Sequence, residues 1–195
     1  AGQLPQPGQR QLIARGAPVG EAREFSRPVS LPEGARDARF RTAYVTDPAL
    51  QSGRIFFCYH YTPELVWRDE WRRHPNGVTG VAEFVFASEA PERMGGLFRR
   101  LFGPESVRET EGGLCLPAGP ASVLVLHPDA AARRFGEIPA REEGRDRMVA
   151  LTLHTASLEG TASLLSDQGI PTSQHGTRLV VPPAEAAGLA LAFTA

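Results

Sequence analysis

The chain has 195 residues, 42% of them hydrophobic and 22% charged, with a formal net charge of −1. A chain of this size buries roughly 70% of its unfolded surface, so it needs no disulfide or structural metal to hold a core, and it is too rich in core formers for wholesale disorder. The balanced charge excludes a nucleic-acid-binding domain, which carries a basic excess on one face.

No apolar run reaches the ~18 residues needed to span a bilayer, and the opening residues hold no secretory apolar core, so the expected location is cytoplasmic. All 21 basic residues are Arg, which excludes Schiff-base or catalytic-lysine chemistry. Cys58 and Cys115 sit in apolar runs and read as free thiols.

In chain order, QLIARGAP (11–18) reads as a helix end closed by Gly16 and Pro18. Strand candidates follow at 21–25, 40–45 and 55–60. The stretch TPELVWRDEWRRHPNG (62–77) predicts a linking helix, with Thr62 as N-cap, Pro63 at the first position, Trp67 and Trp71 four apart, and Pro75 to Gly77 as the stop.

Next, VAEFVFASEAPERMGGLFRRLFG (81–103) alternates and then becomes amphipathic, with Met94, Leu97, Phe98 and Leu101 on one helical stripe. A short strand near 106–109 leads into GGLCLPAGPASVLVL (112–126), read as strand, turn, strand. The same series recurs: strand and helix in MVALTLHTASLEGTASLLSDQGIP (148–171), a short strand at 172–175, then GTRLVVPPAEAAGLALAF (176–193). Each copy is a β-α-β-β-β unit, and the opening residues resemble a third copy without its first strand.

The predicted class is therefore α+β, built from paired βαβββ modules. Residues 1–61 form a partial module, 62–77 the linking helix, and 78–195 a complete two-module domain with copies at 78–128 and 146–195. A module without its first strand leaves an open sheet edge, so either a missing upstream module or a second copy is expected to cover it.

Paired modules of this kind resemble the vicinal oxygen chelate superfamily of glyoxalases, bleomycin-resistance proteins and extradiol dioxygenases. The nearer resemblance is to bacterial glyoxalase-like domain proteins. It is carried by FFCYHYTPELVWRDEWRRHPNGVTGVAEFVF (56–86) and FSRPVSLPEG (25–34). The resemblance implies a curled, cup-shaped mixed sheet with helices outside. Such a cup holds a small ligand and often a divalent metal (Zn, Ni, Fe or Mn), bound by inward His, Gln or Glu from the first and last strands of each module.

Carried onto this chain, those positions fall on Glu83, on Ala150, near Leu124 or Val125, and on Ala192, so no metal is expected in the 78–195 cup. Glu83 reads either as a solvated carboxylate at a strand end or, inside the cup, as a general base or ligand anchor. A metal in the N-terminal half would use His60, provided Cys58 and His60 face the concave side; the opposite parity turns Phe57 and Tyr59 inward. His60 packed into the strand-to-helix corner is the alternative. Tyr59, His154, Val125 and Leu191 are the candidate ligand-lining residues.

Three functions follow. The first is a metal-dependent lyase, isomerase or dioxygenase acting on a substrate with vicinal oxygens. The second is a non-catalytic small-molecule binder of the resistance type. The third is a structural copy that kept the fold and lost the site. The expected partners are a small-molecule ligand and either a homodimer mate or a missing upstream module, with no nucleic acid and no membrane.

Overall fold

A computed structural model describes residues 12, 14, 16–51, 53–139 and 145–195. The chain divides into two compact units, residues 1–50 with 54–72 and residues 51–53 with 73–195. None of the described helices is long and apolar enough to cross a membrane.

The N-terminal unit is a three-stranded antiparallel sheet in the order β1 (Arg23–Leu31), β2 (Gly34–Tyr44), β3 (Phe56–His60). The first two strands run well past the predicted 21–25 and 40–45. Pro28 lies within β1, an edge strand, where a residue without an N–H is tolerated. The turn at Pro32 and Glu33 closes on Gly34, whose φ of 120° suits glycine. Leu31, Ala38, Phe40 and Leu65 form the core of this unit, with Val29 and Val66 against it.

The continuous helix expected over 62–77 does not form. Two single 3₁₀ turns stand in its place, Pro63–Leu65 and Asp69–Trp71, separated by Arg68 in an extended conformation. An isolated helix of this length is marginal without an apolar face to bury. Here Leu65 is buried at 2% exposure, while Trp67 and Trp71 remain 63% and 52% exposed. Thr62 uses its hydroxyl to accept from the Arg39 N–H across to β2 (2.9 Å), not to cap a helix.

The C-terminal unit holds β4 (Val78–Ala87), α1 (Pro91–Phe102), β5 (Arg108–Thr110), β6 (Gly113–Ala118) and β7 (Ala121–Leu126). There follow α2 (Pro128–Phe135), β8 (Arg147–Thr155), α3 (Leu158–Asp167), β9 (Ser173–His175), β10 (Arg178–Val181) and β11 (Ala190–Thr194). Its eight strands lie in the order β5-β6-β7-β4-β8-β11-β10-β9. In each copy the last strand runs parallel to the first, β7 beside β4 and β11 beside β8. The two first strands meet antiparallel at the centre, Glu83 opposite Thr152. These are two β-α-β-β-β modules joined back to back in one curled mixed sheet, as predicted.

Strand alternation gives the sheet two faces. On the outer face α1 buries Met94, Leu97, Phe98 and Leu101. There α3 packs Leu158, Ala162 and Leu165 against Leu179, Val181 and Phe193. Ser157 caps α3 by accepting from the Gly160 N–H at 3.0 Å. On the inner face Val85, Ala87, Leu124, Leu126, Val149, Ala150, Val180, Ala190 and Ala192 form a second core, together with Ala130, Ala131 and Phe135 from α2.

Helix α2 is the element absent from the sequence reading. Its local signals are nonetheless complete: Pro128 at the first position, Asp129 in the first turn, three alanines, Arg133 and Arg134 in the last turn, and Gly136 at φ 75° past the end. It is held close to the β5–β6 turn. The His127 N–H donates to the Gly112 carbonyl at 2.8 Å, and a Cβ on Gly112 would meet the Ala130 Cβ at 2.2 Å.

Candidate functional site

Glu83 sits at the middle of β4, on the inner face. Its side chain is only 15% exposed, so of the two readings of this carboxylate it is not the solvated one at a strand end. Such a charge requires partners, and three converge on it. Arg134 from the end of α2 reaches Oε1 at 2.5 Å, and Arg178 from the start of β10 reaches Oε1 at 3.2 Å and Oε2 at 3.4 Å. The Thr152 hydroxyl, fully buried on the neighbouring strand, donates to Oε2 at 2.8 Å.

Phe135 underlies the two cations. The guanidinium carbons of Arg134 and Arg178 lie 5.9 and 5.8 Å from its ring centroid, at cation–π range. Arg134 and Arg178 are themselves 28% and 20% exposed at the side chain. The result is an Arg–Glu–Arg cluster on an aromatic floor that is 1% exposed. Beside it opens a cleft of ≈ 320 Å³ lined by Glu111, Ala130, Arg133, Arg134 and Arg178.

A family model described as a glyoxalase-like domain matches residues 5–102, half of the chain. The chain belongs to the glyoxalase-like domain family. Among solved structures, this glyoxalase-like protein is similar to a hypothetical protein from Staphylococcus aureus at TM-score 0.54 and 7% identity, over 95% of this chain and 60% of that one. It is also similar to methylmalonyl-CoA epimerase from Mycobacterium tuberculosis at TM-score 0.44 and 14% identity, over 62% of this chain and 90% of that one. The first of these likenesses concerns the fold alone. No curated protein matches the chain.

The metal that the superfamily often carries does not fit the inner face of this glyoxalase-like protein. Of the carried-over positions, Ala150 and Ala192 are fully buried methyl groups, and Leu124 and Val125 are 3% and 1% exposed. Leu124, Ala150 and Ala192 pack in one cluster with Phe135. Glu83 is the single donor, and both of its oxygens already accept from Arg134, Arg178 or Thr152. Among the described residues no three His, Cys, Asp or Glu side chains group to hold an ion.

His60 stands in a different setting. Register pairs it with Phe40 and pairs Cys58 with Thr42, so the two share the face that carries the N-terminal core, and Tyr59 takes the other face. The His60 ring meets Phe40 edge-on at 5.0 Å and stacks on Trp67 at 5.8 Å. Its Nδ1 is buried without a hydrogen-bond partner. This is aromatic packing in the corner after β3, with no second donor among the described residues.

Tyr59 is 60% exposed and lies edge-on to Tyr61 at 5.1 Å. Tyr61 donates to Glu24 Oε1 at 2.6 Å, and that bond raises its phenol pKa above the ordinary value. Of the remaining candidates, His154 lies two residues beyond Thr152 on the inner face, opposite Gly80, and does not line the cleft. Val125 and Leu191 alternate to the outer face, where Leu191 packs with the α3 cluster. The structure thus gathers Glu83 with Arg134, Arg178, Thr152 and Phe135, none of which was singled out as a site residue from sequence. The repeat matched Glu83 to Ala150; neither its pairing with Thr152 nor the approach of α2 could be read from it.

Proposed function

We propose that this glyoxalase-like protein is a non-catalytic, metal-independent binder of a small molecule. The observation that supports this reading is the Arg134–Glu83–Arg178 cluster over Phe135, which stands where relatives of this fold would gather metal ligands. With Arg134 and Arg178 on Oε1 and Thr152 and Arg178 on Oε2, the Glu83 carboxylate has all four of its lone-pair sites engaged and none left for a metal. Both of its oxygens are already occupied by Arg134, Arg178 and Thr152, so neither is presented to a substrate proton. The metal-dependent reading finds no donor set on either unit among the described residues.

The cleft beside the cluster is within the size range of small-ligand sites, and its lining is mainly polar. A second copy of the chain, pairing through the open edges of the three-stranded sheet, is the proposed partner. Light scattering on the purified chain reads that pairing directly.

The decisive experiment is thermal unfolding of the full chain before and after exhaustive dialysis against a chelator, then with added Zn, Ni, Fe or Mn. The reading requires the unfolding midpoint to stay the same throughout. A midpoint that falls on chelation and is restored by one of these ions overturns it, because a resident metal stabilises the folded state by mass action.

A further inference from the structure

We propose that the cleft between α2, the β5–β6 turn and β10 binds an oxyanion, the carboxylate or phosphate group of a small molecule, through Arg133, Arg134 and Arg178. The proposal rests on the binding reading above and gives its ligand a chemical class.

Charge is the first argument. Three guanidiniums line or flank the cleft, against the carboxylates of Glu111 and Glu83. One Arg neutralises Glu83, and the second leaves the cluster cationic. Arg133 adds a further charge and has no ion-pair partner among the described residues. Glu111 also lines the cleft and reduces the excess without removing it, so a singly charged headgroup balances the site.

Preorganisation is the second. Guanidinium groups recognise carboxylate and phosphate oxygens through paired N–H donors. Their usual penalty on binding is the lost freedom of a long side chain. Arg134 and Arg178 have already lost that freedom, since Glu83 fixes their ends and Phe135 supports their planes. A ligand oxygen meets them without reordering the site. Arg133, one residue before Arg134, is exposed and lines the same cleft.

Solvent is the third. On one side the cleft is walled by the buried Ala130 methyl and by Arg134 and Arg178, 28% and 20% exposed, so charge-assisted bonds to these two are less screened than at an open surface, while Glu111 and Arg133 form its exposed side. A surface arginine pair without such walls would gain little.

The experiment uses the full native chain, titrated calorimetrically with inorganic phosphate and, separately, with succinate, in chelator-treated buffer. Sodium chloride at matched ionic strength is the control. Saturable binding of at least one probe, absent with chloride, is expected; the arm that binds more tightly distinguishes phosphate from carboxylate. Arg133 is exposed and has no ion-pair partner among the described residues, so Arg133→Ala is expected to fold, checked by its melting curve, and should weaken binding about tenfold, the loss of one charge-assisted contact.

Two results overturn the proposal: no saturable binding of either probe, or an Arg133→Ala variant that binds as the native chain does. Binding that appears only after a divalent metal is added overturns the metal-independent reading instead. A chain that is metal-indifferent yet binds neither probe removes this inference alone.

Discussion

Replacing Glu83 by Gln tests the ion cluster most sharply. The substitution keeps the shape of the side chain and one oxygen to accept from Thr152, but it removes the charge that holds Arg134 and Arg178. Breaking one side of a fully buried pair costs roughly 3–5 kcal/mol, whereas an exposed pair is worth about 0–1 kcal/mol. With Glu83 at 15% exposure and its two arginines at 28% and 20%, the loss falls between these limits. We expect about 2–3 kcal/mol. For a domain of this size that lowers the midpoint of the C-terminal transition by about 4–10 °C.

Urea denaturation followed by circular dichroism measures the loss, with the two units fitted as separate transitions. A companion variant, Glu83→Leu with Arg134→Met and Arg178→Met, removes all three charges together. It should recover most of the stability, because apolar replacements of similar volume substitute for a buried ion cluster without leaving a charge unpaired. A Glu83→Gln chain within about 0.5 kcal/mol of the native one would refute the reasoning, since only solvent-screened pairs are that weak. So would a triple variant less stable than the single one.

Phe135→Ala should cost about 3–5 kcal/mol and weaken anion binding, since it opens a cavity under both guanidiniums; a loss under about 1 kcal/mol would mean that α2 does not close the inner face. Gly113→Ala should fail to fold or be severely destabilised, because its Cβ would meet the Val125 carbonyl oxygen at 2.1 Å and the Leu126 Cα at 2.8 Å; soluble expression with a near-native melt would contradict the β6–β7 register. The thiol of Cys58 is pushed above its ordinary pKa by desolvation, against a lowering pull from Arg27. The neutral thiol is thus the favoured form. Its reaction rate with a disulfide reagent, measured against pH, should have a midpoint above that of a free cysteine, and a midpoint below it would place Arg27 as the dominant neighbour.

The fold was legible because duplication doubles every local signal. Strand alternation in 81–87 and 148–155, the stripes of α1 and α3, and the Gly and Pro stops each occur twice, and each occurrence supports the other. The short strands β5 and β9 could be placed only by that correspondence. The N-terminal sheet was less legible, since Pro28 reads as a breaker until β1 is known to be an edge strand. The 62–77 segment misled for a different reason. Its caps and tryptophan spacing are helical, but only Leu65 is buried, and propensity without an apolar face does not sustain a helix.

The site was legible in part. Glu83 stood out as the one donor at a ligand position, and its apolar counterparts Ala150 and Ala192 were visible by the repeat. Its partners were not. Arg134 lies 51 residues away and Arg178 95 residues away, on elements brought to the inner face only by the curled sheet and by α2. The repeat itself concealed α2, which occupies the joint between the copies and has no counterpart in either. Strand parity decided against Val125 and Leu191, whose neighbours Leu124 and Ala192 take the inner face.

The account depends on an ion cluster and an aromatic side chain occupying the place of a chelated metal. Elemental analysis of the full native chain, purified without chelator and compared with Glu83→Gln, tests this most directly. The account predicts no stoichiometric Zn, Ni, Fe or Mn in either protein. One equivalent of a single metal in the native chain, lost in Glu83→Gln, would contradict it.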